Sequence, residues 1–213
     1  MAIEPATRIP RRLEPGARSE QILDEATRFF AERGFNAQIT DLAARLGISH
    51  ALIFRYFGTK QNLIDQVYQR IFVEPWSDEW MRDLADRNVP LAQRIERFYI
   101  AYLKTVDNPL WIRVALHAGL AGEHLPRGKE VRSRVSKILE LILREIRAHR
   151  KESQEPEISP LEWETAWHLH SSIIYYLIRK HVLDHESPVD RDSMVRRVVR
   201  NFVCEFGPET SGD

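Results

Sequence analysis

The chain has 213 residues, 43% of them hydrophobic and 29% charged, and its 31 basic side chains balance 31 acidic ones. That length and apolar content allow a sizeable core in one or two domains, while zero net charge excludes a whole-protein basic field, so any nucleic-acid contact has to come from a local patch. The single cysteine, Cys204, excludes an internal disulfide and a Cys/His metal cluster.

Along the chain, Met1 to Ala17 holds Pro5, Pro10 and Pro15 with Arg8, Arg11 and Arg12, and Arg18 lies just beyond. This composition predicts a mobile arm over residues 1–17. From Ser19 a helical period takes over, with Ile22, Ala26, Phe29 and Phe30 on one side and Gly34 where a helix ends. A short second helix, Thr40 to Leu46, turns Leu42, Ala43 and Leu46 inward, and Gly47 supplies a left-handed residue after it. Ser49 suits the N-cap of a third helix, whose Ile53, Tyr56 and Phe57 share one face while His50, Ala51, Phe54 and Arg55 share the other. Thr59 then caps a fourth helix with Leu63, Ile64, Val67, Tyr68 and Ile71 as its buried stripe.

Beyond Pro75 the patterns lengthen. Trp76 and Trp80 mark a short element, followed by helices over Leu91 to Val106, Pro109 to Gly119 and Arg127 to His149. Ser159-Pro160-Leu161-Glu162 and Ser187-Pro188-Val189-Asp190 each place Ser at N-cap, Pro at N1 and an acid at N3, and open the last two helices. No strand signal competes, so the expected fold class is all-α. The most apolar window, Ala166 to Ile178, is too short to span a bilayer, and no apolar run follows a basic start. The expectation is a cytoplasmic protein without a membrane partner.

The stretch from Ile39 to Lys60, ITDLAARLGISHALIFRYFGTK, carries the chemistry. Two short helices around a glycine turn, the second with one polar face, form the helix-turn-helix pattern, in which the second helix enters the major groove of double-stranded DNA. Arg55 is suited to fork onto guanine, His50 to a base or phosphate, and Phe54 to a thymine methyl. Thr40, Ser49, Thr59 and Lys60 sit near helix starts, where backbone N–H groups favour phosphate. Ala51 and Tyr56 complete the DNA-facing set.

Taken together, Phe29-Phe30, Gly34-Phe35, Asp41-Leu42-Ala43, Leu46-Gly47-Ile48-Ser49, Tyr56-Phe57 and Thr59-Lys60-Gln61-Asn62-Leu63 resemble the DNA-binding domain of the tetracycline-repressor (TetR) family over about Arg18 to Phe72. The resemblance implies an all-helical homodimer that binds operator DNA through residues 18–72. It also implies a divergent domain, here 73–207 before a tail at 208–213, that dimerises through its last two helices and binds a small-molecule effector, with no cofactor. The chain departs from the family in Ala51, where glycine is frequent, in Phe54, where tyrosine is frequent, and in a shorter approach from Asn36 to Ile39.

On this reading Ile173, Leu177, Val195, Val199 and Phe202 form the dimer seam. A largely hydrophobic effector is held by Phe98, Tyr102, Trp111 and Tyr175 and oriented by His117 or Ser172, because apolar walls with a few convergent polar groups are what a small-molecule site needs. His181 and His185 have the spacing of a helical metal pair but no third ligand at motif spacing, so no metal is expected. An enzyme is disfavoured by the lack of a P-loop, a G-x-S-x-G elbow, an H-E-x-x-H motif or a cysteine nucleophile setting. The competing function is a helical interaction adaptor without operator binding.

Overall fold

The structure, a computed structural model, describes residues 15–120, 126–150 and 157–205, and the expected arm and tail lie outside these except for the arm's last residues, 15–17. The described residues form α-helices α1 Pro15–Arg33, α2 Ile39–Leu46, α3 His50–Phe57, α4 Lys60–Tyr68, α5 Glu79–Ala85, α6 Leu91–Val106, α7 Pro109–Leu120, α8 Pro126–His149, α9 Pro160–His181 and α10 Arg191–Glu205. A π-helical turn, Gln69–Val73, continues α4. None of these helices is long and apolar enough to cross a membrane.

Two hydrophobic clusters organise the chain. The first gathers Ile22, Phe30, Leu42, Ile53, Leu63 and Val67 from α1 to α4, every one of them at most 1% exposed. Gly47 lies in the left-handed region, φ 64°, and lets Ile48 N donate to Ala43 O at 3.0 Å, so α2 stops where α3 must turn away. The second cluster is built from α5, α6 and α8 to α10 around Tyr99, Leu139, Ile142 and Ile173. The clusters meet at α7, whose Val114 is fully buried in the first while Trp111 packs against both.

The expected dimer-seam residues lie inside this packing. Ile173, Leu177, Val195 and Val199 are fully buried, and Phe202 is 7% exposed, all within the second cluster of their own subunit. The apolar stripe of α10 has its partners in α6 and α9. What α9 turns outward instead is Glu164, His168, Ser171, Ser172 and Tyr175, and α10 turns out Arg197, Asn201 and Cys204.

Charge fastens the far corner. Asp107, after α6, accepts from Lys180 Nζ at 2.9 Å, pairs with His181 Nε2 at 2.7 Å and meets Arg191 at 3.4 Å, tying the end of α9 and the start of α10 to α6. Burial pushes the Asp107 carboxyl up, but the hydrogen bonds from Lys180 and His181 outweigh it and leave the group below the usual carboxylate range. The Ser159 capping box forms as expected, with Ser159 N donating to Glu162 at 2.7 Å. The second start does not: α10 begins at Arg191, and it is Asp190 that accepts from Ser193 N, at 2.9 Å, while Ser187 Oγ accepts from Val189 N.

Candidate functional site

Local chemistry fixes both ends of α3. Ser49 Oγ accepts from Leu52 N at 3.3 Å and Thr59 Oγ1 accepts from Asn62 N at 3.1 Å, so each helix start has one of its orphan donors satisfied. Asn62 Nδ2 also donates to Phe57 O at 2.8 Å, which stitches the start of α4 to the end of α3. Ile53 and Phe57 are 1% and 3% exposed and bolt one face of α3 into the first cluster. The opposite face is free: His50, Ala51, Phe54 and Arg55 are exposed, with the His50 and Phe54 rings edge to face at 6.3 Å.

The cations of this domain divide into two kinds. Arg45 of α2 holds two carboxylates of α1, Glu25 at 2.6 Å and Glu32 at 2.6 Å, and its hydrogen bond draws the Glu32 carboxyl below its ordinary value. Arg70 on the π turn reaches back to α1, to Asp24 at 2.5 Å and also to Glu20. Arg55 and Lys60, by contrast, have no ion-pair or hydrogen-bond partner among the described residues. Thr40, in the first turn of α2, and Thr59 are exposed, and Lys60 is half-buried. Tyr56 is half-buried and packs against the first cluster, so its ring is held by the core. The helices α2 to α4 therefore carry two free cations, three hydroxyls beside helix starts and an exposed aromatic pair. Such groups offer donors to phosphate and to base edges.

The expected effector residues are not all brought together. Tyr102 and Phe98 stack at 5.7 Å with planes 16° apart, and Tyr102 lies edge to face with Trp111 at 6.5 Å. Tyr102 and Trp111 line a small chamber with Phe72, Trp76 and Trp80. Its free space of about 10 Å³ is close to the room one water needs. His117 is elsewhere: its Nδ1 lies 3.0 Å from where a Cβ on Gly34 would stand, at the junction of α1 and α7. Ser172 spends its hydroxyl on His168 O at 2.8 Å on the surface, and Tyr175 is 51% exposed. These three do not face the chamber.

One polar group is packed into the second cluster. His170, packed by Trp167 at 5.8 Å and Tyr102 at 6.0 Å, lies with Nδ1 3.5 Å from the Tyr99 hydroxyl. Burial pushes its pKa down to about 4, so the ring is neutral at physiological pH. The available signal was its place on the buried face of α9 beside Ala166 and Ile173. Among the described residues no group of three or more His, Cys, Asp or Glu could hold a metal ion.

A two-helix corner with capped ends, one face bolted to a core and the other bearing free cations, defines a helix-turn-helix DNA-binding domain. Residues 22–67 match the family described as bacterial regulatory proteins, tetR family. The chain is similar to the HTH-type transcriptional repressor Rv3405c of Mycobacterium tuberculosis, with 45% identity over 75 residues that cover 33% of this chain and 39% of the repressor. It is also similar to a solved TetR-like transcriptional regulator from a Rhodococcus species (TM-score 0.63, 19% identity, covering 91% and 97% of the two chains). The TetR family regulator PfmR from Thermus thermophilus is a further neighbour (TM-score 0.60, 17% identity, covering 86% and 97%). The DNA-binding domain over residues 22–67 thus carries the TetR-family pattern, and the relative it matches is an HTH-type transcriptional regulator. This match takes in less than half of that relative's length, and the low-identity structures speak for the fold alone.

Proposed function

We propose that this protein is a dimeric operator-binding repressor in the cytoplasm, released from DNA by a small-molecule effector. The observation that carries the reading is the contrast on α3: Ile53 and Phe57 are locked in the core while the exposed Arg55 has no ion-pair or hydrogen-bond partner among the described residues. An unpaired guanidinium on a rigid helix is costly to order unless it meets an acceptor, and guanine O6 and N7 match its fork. The name of the M. tuberculosis relative, a transcriptional repressor, supports the same direction of control.

Two features support the dimer and the effector. One short recognition helix reads too few base pairs for genomic specificity, so two half-sites about 34–36 Å apart or a multiple of that are expected. The outward faces of α9 and α10, with Tyr175 and Ser171 among their residues, offer the surface for a seam. The aromatic chamber borders the π turn that continues α4, and π-helical turns inside α-helices are frequent at functional sites. An effector that favours one dimer geometry over another by about 1.4 kcal/mol releases DNA tenfold. Selection from a random duplex library with the full chain, followed by gel shift, tests the proposal. A two-fold repeated sequence, retarded at a dimer's stoichiometry, is the expected result, and retention of every duplex alike at low salt would overturn it.

A further inference from the structure

Beside the aromatic chamber lies a second, larger cavity of about 230 Å³, a groove between α1, a supporting helix of the DNA-binding domain, and the turn from α6 to α7. The two share Ile71, Pro75, Thr105 and Trp111 as walls, so they adjoin. The charged residues lining the groove are Arg70 and Asp24. Their depths differ: the Arg70 side chain is 25% exposed, whereas Asp24 and Glu20, the carboxylates it holds, are 56% and 64% exposed. The deeper, less screened charge is positive and the negative ones sit on the rim.

Donor capacity points the same way. A guanidinium has five N–H groups, and Arg70 gives one to Asp24 Oδ1 and one to Glu20 Oε2. Asn108, also in the lining, has its Oδ1 committed to Leu110 N at 2.8 Å, which fixes the amide's orientation and leaves its NH₂ group to donate. The remaining walls are the apolar Trp111, Pro75, Ile71 and Leu110 with Thr27 and Thr105, whose hydroxyls donate to the backbone oxygens of Leu23 and Ala101. The volume falls below that of a drug-sized site and suits one or two rings with a short polar end.

The geometry points to a binding site for a small aromatic carboxylate, its ring against Trp111 and Pro75 and its carboxylate on the Arg70 guanidinium and the Asn108 amide. This rests on the proposed reading of the chain as an effector-released repressor and names the class of that effector. It also supplies a route to the DNA-binding domain. A bound carboxylate competes with Asp24 and Glu20 for the planar fork that matches carboxylates two oxygens at a time. Those two side chains sit mostly in water and lose little by letting go. Exchange therefore frees α1 from the π turn while the ligand takes its place.

The test uses the full chain and three probes of one shape: 2-naphthoate, the neutral 2-naphthamide, and the cationic 2-(aminomethyl)naphthalene. Titration calorimetry without DNA is expected to show naphthoate binding about tenfold or more tightly than either analogue. Asn108→Asp keeps the oxygen that caps α7 and swaps the donor for a negative charge, so it should abolish that preference, as should Arg70→Gln. Asp24→Asn removes a competitor for the fork and should tighten naphthoate about threefold. Equal binding of the amide, tighter binding of the amine, no binding of any probe, or a preference that survives both Asn108→Asp and Arg70→Gln would each overturn the site. Operator affinity is measured separately. Naphthoate that binds as described yet leaves operator affinity unchanged upholds the site and overturns the effector reading.

Discussion

The two hydrophobic clusters handle polar groups in opposite ways. In the first, charge stays outside: Arg45 and Arg70 clamp α1 from the surface, caps end each short helix, and the buried residues are apolar apart from Thr27, which bonds Leu23 O. In the second, charge goes inside. Arg94 and Glu145 are 5% and 6% exposed and joined at 2.8 Å, Arg94 also donates to Leu84 O at 2.6 Å, and its Nε has no partner among the described residues. The first arrangement makes a small rigid unit that leaves a surface free for DNA. The second is a larger body with a buried ion pair, in which removing either partner would leave a charge stranded.

The widest gap between the clusters should appear when a buried charge loses its partner. Glu145→Ala leaves Arg94 buried without a carboxylate and should cost about 3–5 kcal/mol by urea unfolding, whereas Arg94→Met with Glu145→Leu should come within about 1 kcal/mol of the parent or exceed it. Burial pushes the Glu145 carboxyl up, but hydrogen bonds from Arg87 and Arg94 outweigh it and hold it below the ordinary range. With a depressed folded pKa, its contribution is present above the unfolded value and is lost as pH falls through the folded one. Glu145→Gln should therefore lose less stability than the parent on acidification. If the single and double variants cost the same, the buried pair is not what distinguishes the second cluster.

At the free surface of the first cluster the cost should fall on DNA binding rather than on folding. Arg55→Ala is expected to lose about 1–3 kcal/mol on the preferred operator only, while Lys60→Ala weakens all duplexes alike and flattens the salt slope by about one. Unchanged unfolding midpoints with these losses would confirm that the face is spare. Equal losses from both on every sequence would defeat the division of roles.

The seam between clusters comes next. Gly34 has φ 75°, and a Cβ there would meet His117 Nδ1 at 3.0 Å, while Gly47 has φ 64° and open space. Gly47→Ala should cost about 1–2 kcal/mol for the left-handed backbone alone, and Gly34→Ala more. Adding His117→Ala should recover the excess at Gly34 and nothing at Gly47, as read by a double-mutant cycle. The smallest effect is at a cap: Ser49→Ala should cost about 1 kcal/mol of stability, since one orphan N–H of α3 loses its acceptor.

Much of the first cluster was legible because its determinants are local. Ser49, Thr59 and Gly47 act within four residues of themselves, and the face of α3 that packs differs in kind from the face that does not. The capping box at Ser159 was legible for the same reason. Periodicity alone reported that α9 and α10 have apolar faces wanting a partner. That Ile173, Leu177, Val195 and Val199 find it inside their own subunit depends on how α6 crosses them, which no local pattern encodes. The same limit bears on His117 and Ser172, expected as effector contacts. A helix position fixes the direction in which a side chain leaves its axis, not what stands there: for His117 it is Gly34 of α1, and for Ser172 it is the carbonyl of its own helix. Short-range hydrogen bonds and side-chain periodicity suffice to specify the all-helical class and the helix-turn-helix corner, so both could be read without the fold. Which aromatics enclose the chamber, which charges are buried or paired, and where α1, the π turn and α7 meet depend on contacts between residues far apart in the chain, and no local pattern encodes them.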